Sequence, residues 1–448
     1  MKDKRGATIT TALGSLTVLL TSGCNLHCRY CYRPSAPERR LAWPDLRRAL
    51  CWALARAGPR FEILFSGGEP LQAFPMLART LAFLANRPAG PAGLARLNGL
   101  EGPDRPVPST RPPRIRFKVL TNGTLLTRRI EDVLATYDCE LRLSFDGVPV
   151  AQDLRGQGTF ALLDRRLDGL RRRHREYYRR RLVVVVTVLP ETVPHLARSF
   201  AYLLDKGVRR IVLAPSLTPM PTIGKTGDAT DLPRTVEALE EQFVRIYRQS
   251  LDHYERTGEV VLGLFIRRES SPARTDEANL LLCSLARGTA PAVDVDGTIH
   301  ACEVFCGAAA AWKDGRYRDL LDLARWGKPG TAAFEARHAA FAARAPNEPI
   351  LAPQGEKRSA FGRCSSCEHV DECLICPVAI ASHGMSADPG RVPDFPCAFH
   401  RVAFAHRKRF PTQPWPEEIQ RHPAMLAASL DRLLKGLRRP RTSAAGRP

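Results

Sequence analysis

The stretch Gly23-Cys-Asn-Leu-His-Cys-Arg-Tyr-Cys-Tyr32 constrains this chain more than any other. Its cysteines, Cys24, Cys28 and Cys31, are spaced C-x3-C-x2-C, so one short loop can aim three thiolates at a single centre. Four-iron clusters are normally held by four cysteines. Three local ligands with no fourth nearby therefore leave one iron open to a further ligand. A zinc loop or a redox pair is the alternative, although zinc motifs usually come as two C-x2-C halves.

The flanking pattern alternates short apolar runs with helical periodicity. Residues 16–21 read as a buried strand and 43–56 as a helix with Pro44 near its start. Residues 61–65 form a short apolar strand that runs into Ser66-Gly67-Gly68-Glu69-Pro70, followed by a helix over 74–84. The Gly-Gly pair lets backbone approach a ligand closely, and Glu69 offers a carboxylate to an ammonium group. Residues 87–113 are rich in Pro and Gly and read as an insertion or surface loop. Strands then follow at 114–120, 140–144, 182–189 and 210–214, with helices at 127–137, 160–180, 193–206 and 236–254. The unbroken β-branched run at 182–189 suits a strand buried on both faces of a parallel sheet. Six strand-helix units, each with its motif just after a strand, argue for an α/β chain folded as a partial (β/α)6 TIM-like barrel.

With Gly67-Gly68-Glu69-Pro70 placed one unit after it, the triplet resembles the signature of the radical SAM enzymes. That resemblance implies a 4Fe-4S cluster on Cys24, Cys28 and Cys31, with S-adenosylmethionine chelated at its open iron and its amino group held by the Gly-Gly-Glu-Pro element. Cofactor contacts are implied for Tyr30, Gly67, Gly68, Glu69, Pro70, Asn122, Ser144 and Arg155. Asp146 becomes a candidate proton acceptor or substrate anchor, with an ordinary Asp-Gly turn as the bland reading. Where relatives commonly have His-Asp, this chain has Gln152-Asp153, while Arg155 and Gly156-x-Gly158-Thr159-Phe160 keep the expected pattern.

A second cysteine set begins after residue 258. Cys283 and Cys302 flank Gly297 as C-x13-G-x4-C, and Cys364-x2-Cys367-x5-Cys373-x2-Cys376 is followed by Cys397. Residues 293–299 read as a hairpin with an Asp-Gly turn that would bring Cys283 and Cys302 together. The set resembles the SPASM extension of radical SAM enzymes, with two residues in the last gap where the family usually has three. The resemblance implies an outer auxiliary cluster on Cys364, Cys367, Cys373 and Cys397 and an inner one on Cys283, Cys302 and Cys376, with Cys306 as a candidate fourth ligand. Structural zinc is the alternative for Cys364–Cys376. Cys51 and Cys139 fit neither set and read as small core residues.

The expected organisation is a barrel over 1–257, an auxiliary-cluster unit over 258–410, and a basic helix and tail over 411–448. Of the 67 basic side chains 57 are arginine, and the net charge is +21. Such a field would attract an acidic peptide or protein, though dispersed arginines on solvated faces would give the same total. A nucleic-acid partner is disfavoured because no aromatic-basic binding motif is present. Lys2, Lys4 and Arg5 before an apolar run that ends at Leu20 imitate a lipoprotein signal, but Gly14, Ser15 and Thr17 break the run. No stretch approaches the ~18 apolar residues of a membrane span, so a cytoplasmic enzyme is expected.

The resemblance implies cleavage of S-adenosylmethionine to a 5′-deoxyadenosyl radical that removes hydrogen from a carbon of a ribosomally made precursor peptide. A sulfatase-maturase-like formylglycine-generating enzyme is the nearest enzyme alternative. A non-catalytic iron-sulfur electron carrier is the alternative of another class. Expected partners are the precursor peptide, a reductant such as flavodoxin or ferredoxin, and a separate leader-peptide-binding protein. No leader-binding module is expected ahead of the barrel.

Overall fold

The computed structural model describes residues 12–31, 33, 37–86, 113–216, 231–266, 288–307, 315–352, 354–370, 373, 375–376, 388 and 390–411. Cys283, the expected insertion at 87–112 and the tail from 412 lie outside the described residues.

Six parallel strands stand side by side in chain order: β1 (Leu13–Leu19), β2 (Ala57–Ser66), β3 (Arg114–Thr121), β4 (Glu140–Ser144), β5 (Leu182–Val188) and β6 (Ile211–Pro215). Their register aligns the apolar runs read from the sequence. Leu16 faces Ile63, Ile63 faces Phe117, Val119 faces Leu141, and Val184 lies between Leu143 and Ile211. Helices α1 (Trp43–Ala55), α2 (Phe74–Ala85), α3 (Arg128–Thr136), α4 (Thr159–Arg173), α5 (Arg175–Arg181), α6 (Leu196–Asp205) and α7 (Leu232–Thr257) bury their apolar stripes against this sheet. The six expected units are present in the expected order, as an open, partial barrel. Helix α7 ends at Gly258, whose φ of +71° is the left-handed cap that favours glycine.

One helix expected over 160–180 is two helices, broken at His174 (φ −130°, ψ 58°). Three side chains pull the second piece onto the sheet: His174 Nε2 lies 2.9 Å from Asp132 Oδ1, Tyr177 donates to the Cys139 carbonyl, and Tyr178 donates to that of Lys206. The helix expected over 193–206 opens instead as a 3-10 turn, Pro190–His195, because Pro194 has no N–H to give to an α-helical ladder.

On the other side of β1 the sheet continues into the cysteine-rich region. Strand β7 (Ala292–Val293) pairs in parallel with Thr17 and Val18, and β8 (Ile299–His300) and β9 (Arg325–Gly327) follow antiparallel. The β7–β8 turn is the Asp-Gly turn expected: Gly297 has φ +82°, and its N–H donates to the Asp294 carbonyl. Trp52 of α1 packs edge-on against Trp326 and Phe334, the latter on α9 (Ala332–Arg344), which follows α8 (Gly315–Ala324). The last helix, α10 (Asp394–Arg409), lies on α7, with Phe243 and Phe399 edge-to-face at 5.5 Å and His406 Nε2 2.9 Å from Glu240 Oε2. No helix among the described residues is long and apolar enough to cross a membrane.

Candidate active site

The candidate site is assembled where the parallel strands end, and it is built outward from the loop that leaves β1. Cys24 and Cys31 are exposed and Cys28 is half-buried. Three separate parts of the barrel hold this loop. The first is the turn after β2: Gly68 N–H donates to the Thr21 carbonyl and Glu69 N–H to that of Gly23, both at 2.8 Å. A Cβ at Gly68 would sit 2.0 Å from the Gly23 oxygen, and one at Gly67 (φ +127°) 2.3 Å from that of Thr21. The close approach that requires these glycines is thus made to the chain's own backbone.

Glu69 is fully buried. Its carboxylate accepts from Leu71 N (3.0 Å), Thr121 Oγ1 (2.6 Å) and Asn122 N (2.7 Å), clamping the ends of β2 and β3 together. Burial raises its pKa, and those three donors oppose the rise. Of roughly four lone-pair positions on a carboxylate, one is left for an ammonium group. Pro70 opens the 3-10 turn that follows. Asn122, the second anchor, donates from Nδ2 to Asn25 Oδ1 at 3.0 Å and lies 3.8 Å from Cys24 Sγ. Asn25 in turn donates to Thr124 Oγ1 at 2.7 Å.

The third anchor is a buried polar knot. Asp146 accepts from Tyr30 Oη (2.5 Å), Arg155 Nε (2.8 Å), Arg155 Nη2 (2.9 Å) and Thr187 N (2.8 Å). Arg155 also donates to Thr187 Oγ1, and its guanidinium stands 5.3 Å from the Tyr30 ring centre. The Asp146 backbone is fixed as well, its N–H by Gln152 Oε1 and its carbonyl by Ser199 Oγ. These four donors use all of the carboxylate's lone pairs, and Arg155 pairs with it bidentately. That geometry makes Asp146 an anchor of the cluster loop. It also turns Tyr30 and Arg155 toward Asp146, so that they tie the cluster loop to β4 and β5. Ser144 is half-buried at the end of β4.

The three thiols lie close enough to perturb one another. Burial pushes Cys28 up to about 11, with Cys31, Cys24 and Asp146 adding to the rise and Arg155 opposing it. Cys24 is raised too, by burial first and also by Glu69 and Cys31. A bound cationic centre reverses this, stabilising each sulfur as thiolate. Three thiols set close together on one loop fit the donor set of an iron-sulfur centre with one iron left open.

In the C-terminal region, Cys364, Cys367, Cys373 and Cys397 line one cavity of about 150 Å³, walled also by His400 and Phe404. Backbone turns place them: Cys367 N–H donates to the Cys364 carbonyl, and Cys373 N–H to that of Val370. Burial pushes Cys373 up to about 12, with Cys397, Cys364 and Cys367 contributing. Cys376 is half-buried and is not among the residues lining this cavity. Cys302 is half-buried at the end of the β7–β8 hairpin. Cys306 is buried against Leu19 and Ala292, and its sulfur groups with Asp294 and His300. Cys51 and Cys139 are buried in the core, as expected.

Sequence reasoning did not find the Tyr30–Asp146–Arg155–Thr187 knot, the Asn25–Asn122 bridge, or the grouping of Asp294 and His300 with Cys306. A buried Asp-Gly beside an Arg nine positions on was the available signal for the first.

The radical SAM superfamily model matches residues 18–203. Over 217 residues the chain is 24% identical to the uncharacterized protein MJ0907 of Methanocaldococcus jannaschii, covering 46% of this chain and 67% of that protein. Its fold is similar to that of native anSMEcpe with bound AdoMet and Kp18Cys peptide, at 16% identity and a TM-score of 0.59, over 88% of this chain and 98% of that one. Native anSMEcpe with bound AdoMet and Cp18Cys peptide matches at 18% identity and a TM-score of 0.58, over 89% and 97%. The chain carries a radical SAM domain on residues 18–203, the domain of a superfamily that uses a 4Fe-4S cluster and S-adenosylmethionine.

Proposed function

We propose that this enzyme modifies a ribosomally made precursor peptide, forming a cross-link or a similar oxidised product. The observation that carries this reading is the pairing of β7 with β1. It continues the sheet that bears the cluster loop into the C-terminal region, and that region also carries a four-cysteine cavity, giving one protein an open cysteine site and a closed one. When bound, the cluster and S-adenosylmethionine supply hydrogen abstraction from an unactivated carbon. A substrate carbon oxidised in this way leaves an electron to be taken up, and auxiliary SPASM-type clusters on the C-terminal cysteines suit that task.

The chain's own contribution is positioning and exclusion of water. Cys24, Cys28 and Cys31 would hold the first cluster. Gly67, Gly68, Pro70, Asn122, Ser144 and the free lone pair of Glu69 would face the amino-acid end of S-adenosylmethionine. Tyr30, Asp146 and Arg155 keep the loop in place. The domain division at 257/258, a soluble reductant such as flavodoxin or ferredoxin, and a leader-peptide-binding partner belong to the same proposal.

A second reading, formylglycine formation, is favoured by the cysteine-containing peptides named in the similar solved structures. Co-expression with a short precursor peptide encoded beside this chain, followed by mass spectrometry, separates the two. Loss of two hydrogens per modification supports the first reading. An aldehyde in place of a cysteine or serine on a sulfatase supports the second, and an unmodified peptide counts against the first.

A further inference from the structure

We propose that Asp294, His300 and Cys306 form a site for a single borderline-soft divalent transition-metal ion, zinc being the natural probe. One ligand atom from each of the three residues lies within 4.8 Å of the other two. Donors on one tetrahedral zinc ion sit roughly 3.3–3.8 Å apart, given bonds of about 2.0–2.3 Å, so small side-chain rotations close this trio on an ion. Cysteines that bind different irons of a four-iron cluster stand well beyond that spacing. The trio is therefore sized for one ion, and Cys306 belongs to it.

The local hydrogen bonding points the same way. His300 is 5% exposed, and its Nδ1 is buried with no hydrogen-bond partner. Its Nε2 lies 3.9 Å from Asp294 Oδ2, too far for a hydrogen bond but near the separation of two ligands on one ion. Asp294 is held in place by backbone donors, Val295 N at 2.7 Å and Gly307 N at 2.9 Å, the kind of outer support that orients metal-binding carboxylates. Neutral histidine with one carboxylate and one thiolate balances a divalent charge in this buried pocket.

The site's location gives it a role. Cys306 packs on Leu19, the last residue of β1, and Arg33, just past the cluster loop, lies 3.7 Å from Glu303. An ion here would pin the β7–β8 hairpin to the strand that presents Cys24, Cys28 and Cys31.

The test uses the full-length chain, purified anaerobically from zinc-supplemented cells with its clusters in place. Metal analysis should find about one zinc per chain. Zinc-edge X-ray absorption should show one sulfur at about 2.3 Å with nitrogen and oxygen at about 2.0 Å. His300→Ala and Asp294→Asn should each lower zinc at least tenfold and leave iron unchanged. Absence of zinc from the wild-type chain, an all-sulfur zinc shell, or loss of iron instead of zinc in either variant would overturn the proposal. The wild-type measurements need no variant to fold.

Discussion

The loop of Cys24, Cys28 and Cys31 and the cavity of Cys364, Cys367, Cys373 and Cys397 are two answers to the same problem of holding iron on sulfur. The first offers three thiols, two of them exposed, and takes almost none of its rigidity from itself. Its shape is set by Gly68 and Glu69 after β2, by Asn122 after β3, and by Asp146 after β4. The second offers four thiols around one closed cavity with aromatic walls, placed by short-range turns and the start of α10. Metal chemistry draws the same line between closed structural sites and catalytic ones that keep a position open. On the proposed function, bond cleavage belongs to the open loop and electron storage to the closed cavity.

Replacing Cys364 and Cys367 together by alanine should produce the largest separation between the two. About four irons per chain should be lost while 5′-deoxyadenosine formation stays within a few-fold of wild type. Iron analysis and chromatography of the nucleoside check this. Collapse of nucleoside formation would mean that the closed site takes part in cleavage.

Asp146→Asn tests whether the open loop is held from outside. Breaking a buried charge pair costs about 3–5 kcal/mol, so thermal or denaturant unfolding should reveal a large loss of stability that accompanies any loss of activity. Full stability with loss of a pH-dependent step would instead make Asp146 a proton acceptor.

A smaller effect concerns the thiols in the metal-free chain. With Cys28 pushed up to about 11 and Cys373 to about 12, both lie mainly as thiols at pH 8. Because the thiolate is the nucleophile, alkylation at both should be slow at pH 8 and rise about tenfold per pH unit toward pH 10. Mass spectrometry of labelled peptides reads this residue by residue. A pH-independent rate at Cys28 would show that its sulfur is already ionised without metal.

The strands were legible because each is a continuous or alternating apolar run, and buried positions such as Ile63, Val119 and Val184 leave little choice of register. The cysteine loop and Gly67–Pro70 were legible because their residue types are rare in that spacing. What escaped was cooperation between distant residues. Tyr30 meets Asp146 across 116 positions and Thr187 meets it across 41, and no local pattern encodes such a meeting. The break at His174 escaped for a related reason: no proline interrupts 160–180, and the interruption comes from Tyr177 and Tyr178 reaching other elements. The charge was also ambiguous in sequence. In the fold some arginines are paired internally, among them Arg142 and Arg210 with Glu140, and Arg173 with Glu131, while the net excess of +21 stays.

The most direct test of the account compares the wild-type chain with a variant in which Cys24, Cys28 and Cys31 are all alanine. Both would be reconstituted anaerobically with iron and sulfide, reduced, and supplied with S-adenosylmethionine. Wild type should form 5′-deoxyadenosine, and the variant should form at least a thousandfold less while keeping the iron bound by its C-terminal cysteines. Equal nucleoside formation by the two proteins, or none by wild type, would contradict the assignment of the open loop as the site of cleavage.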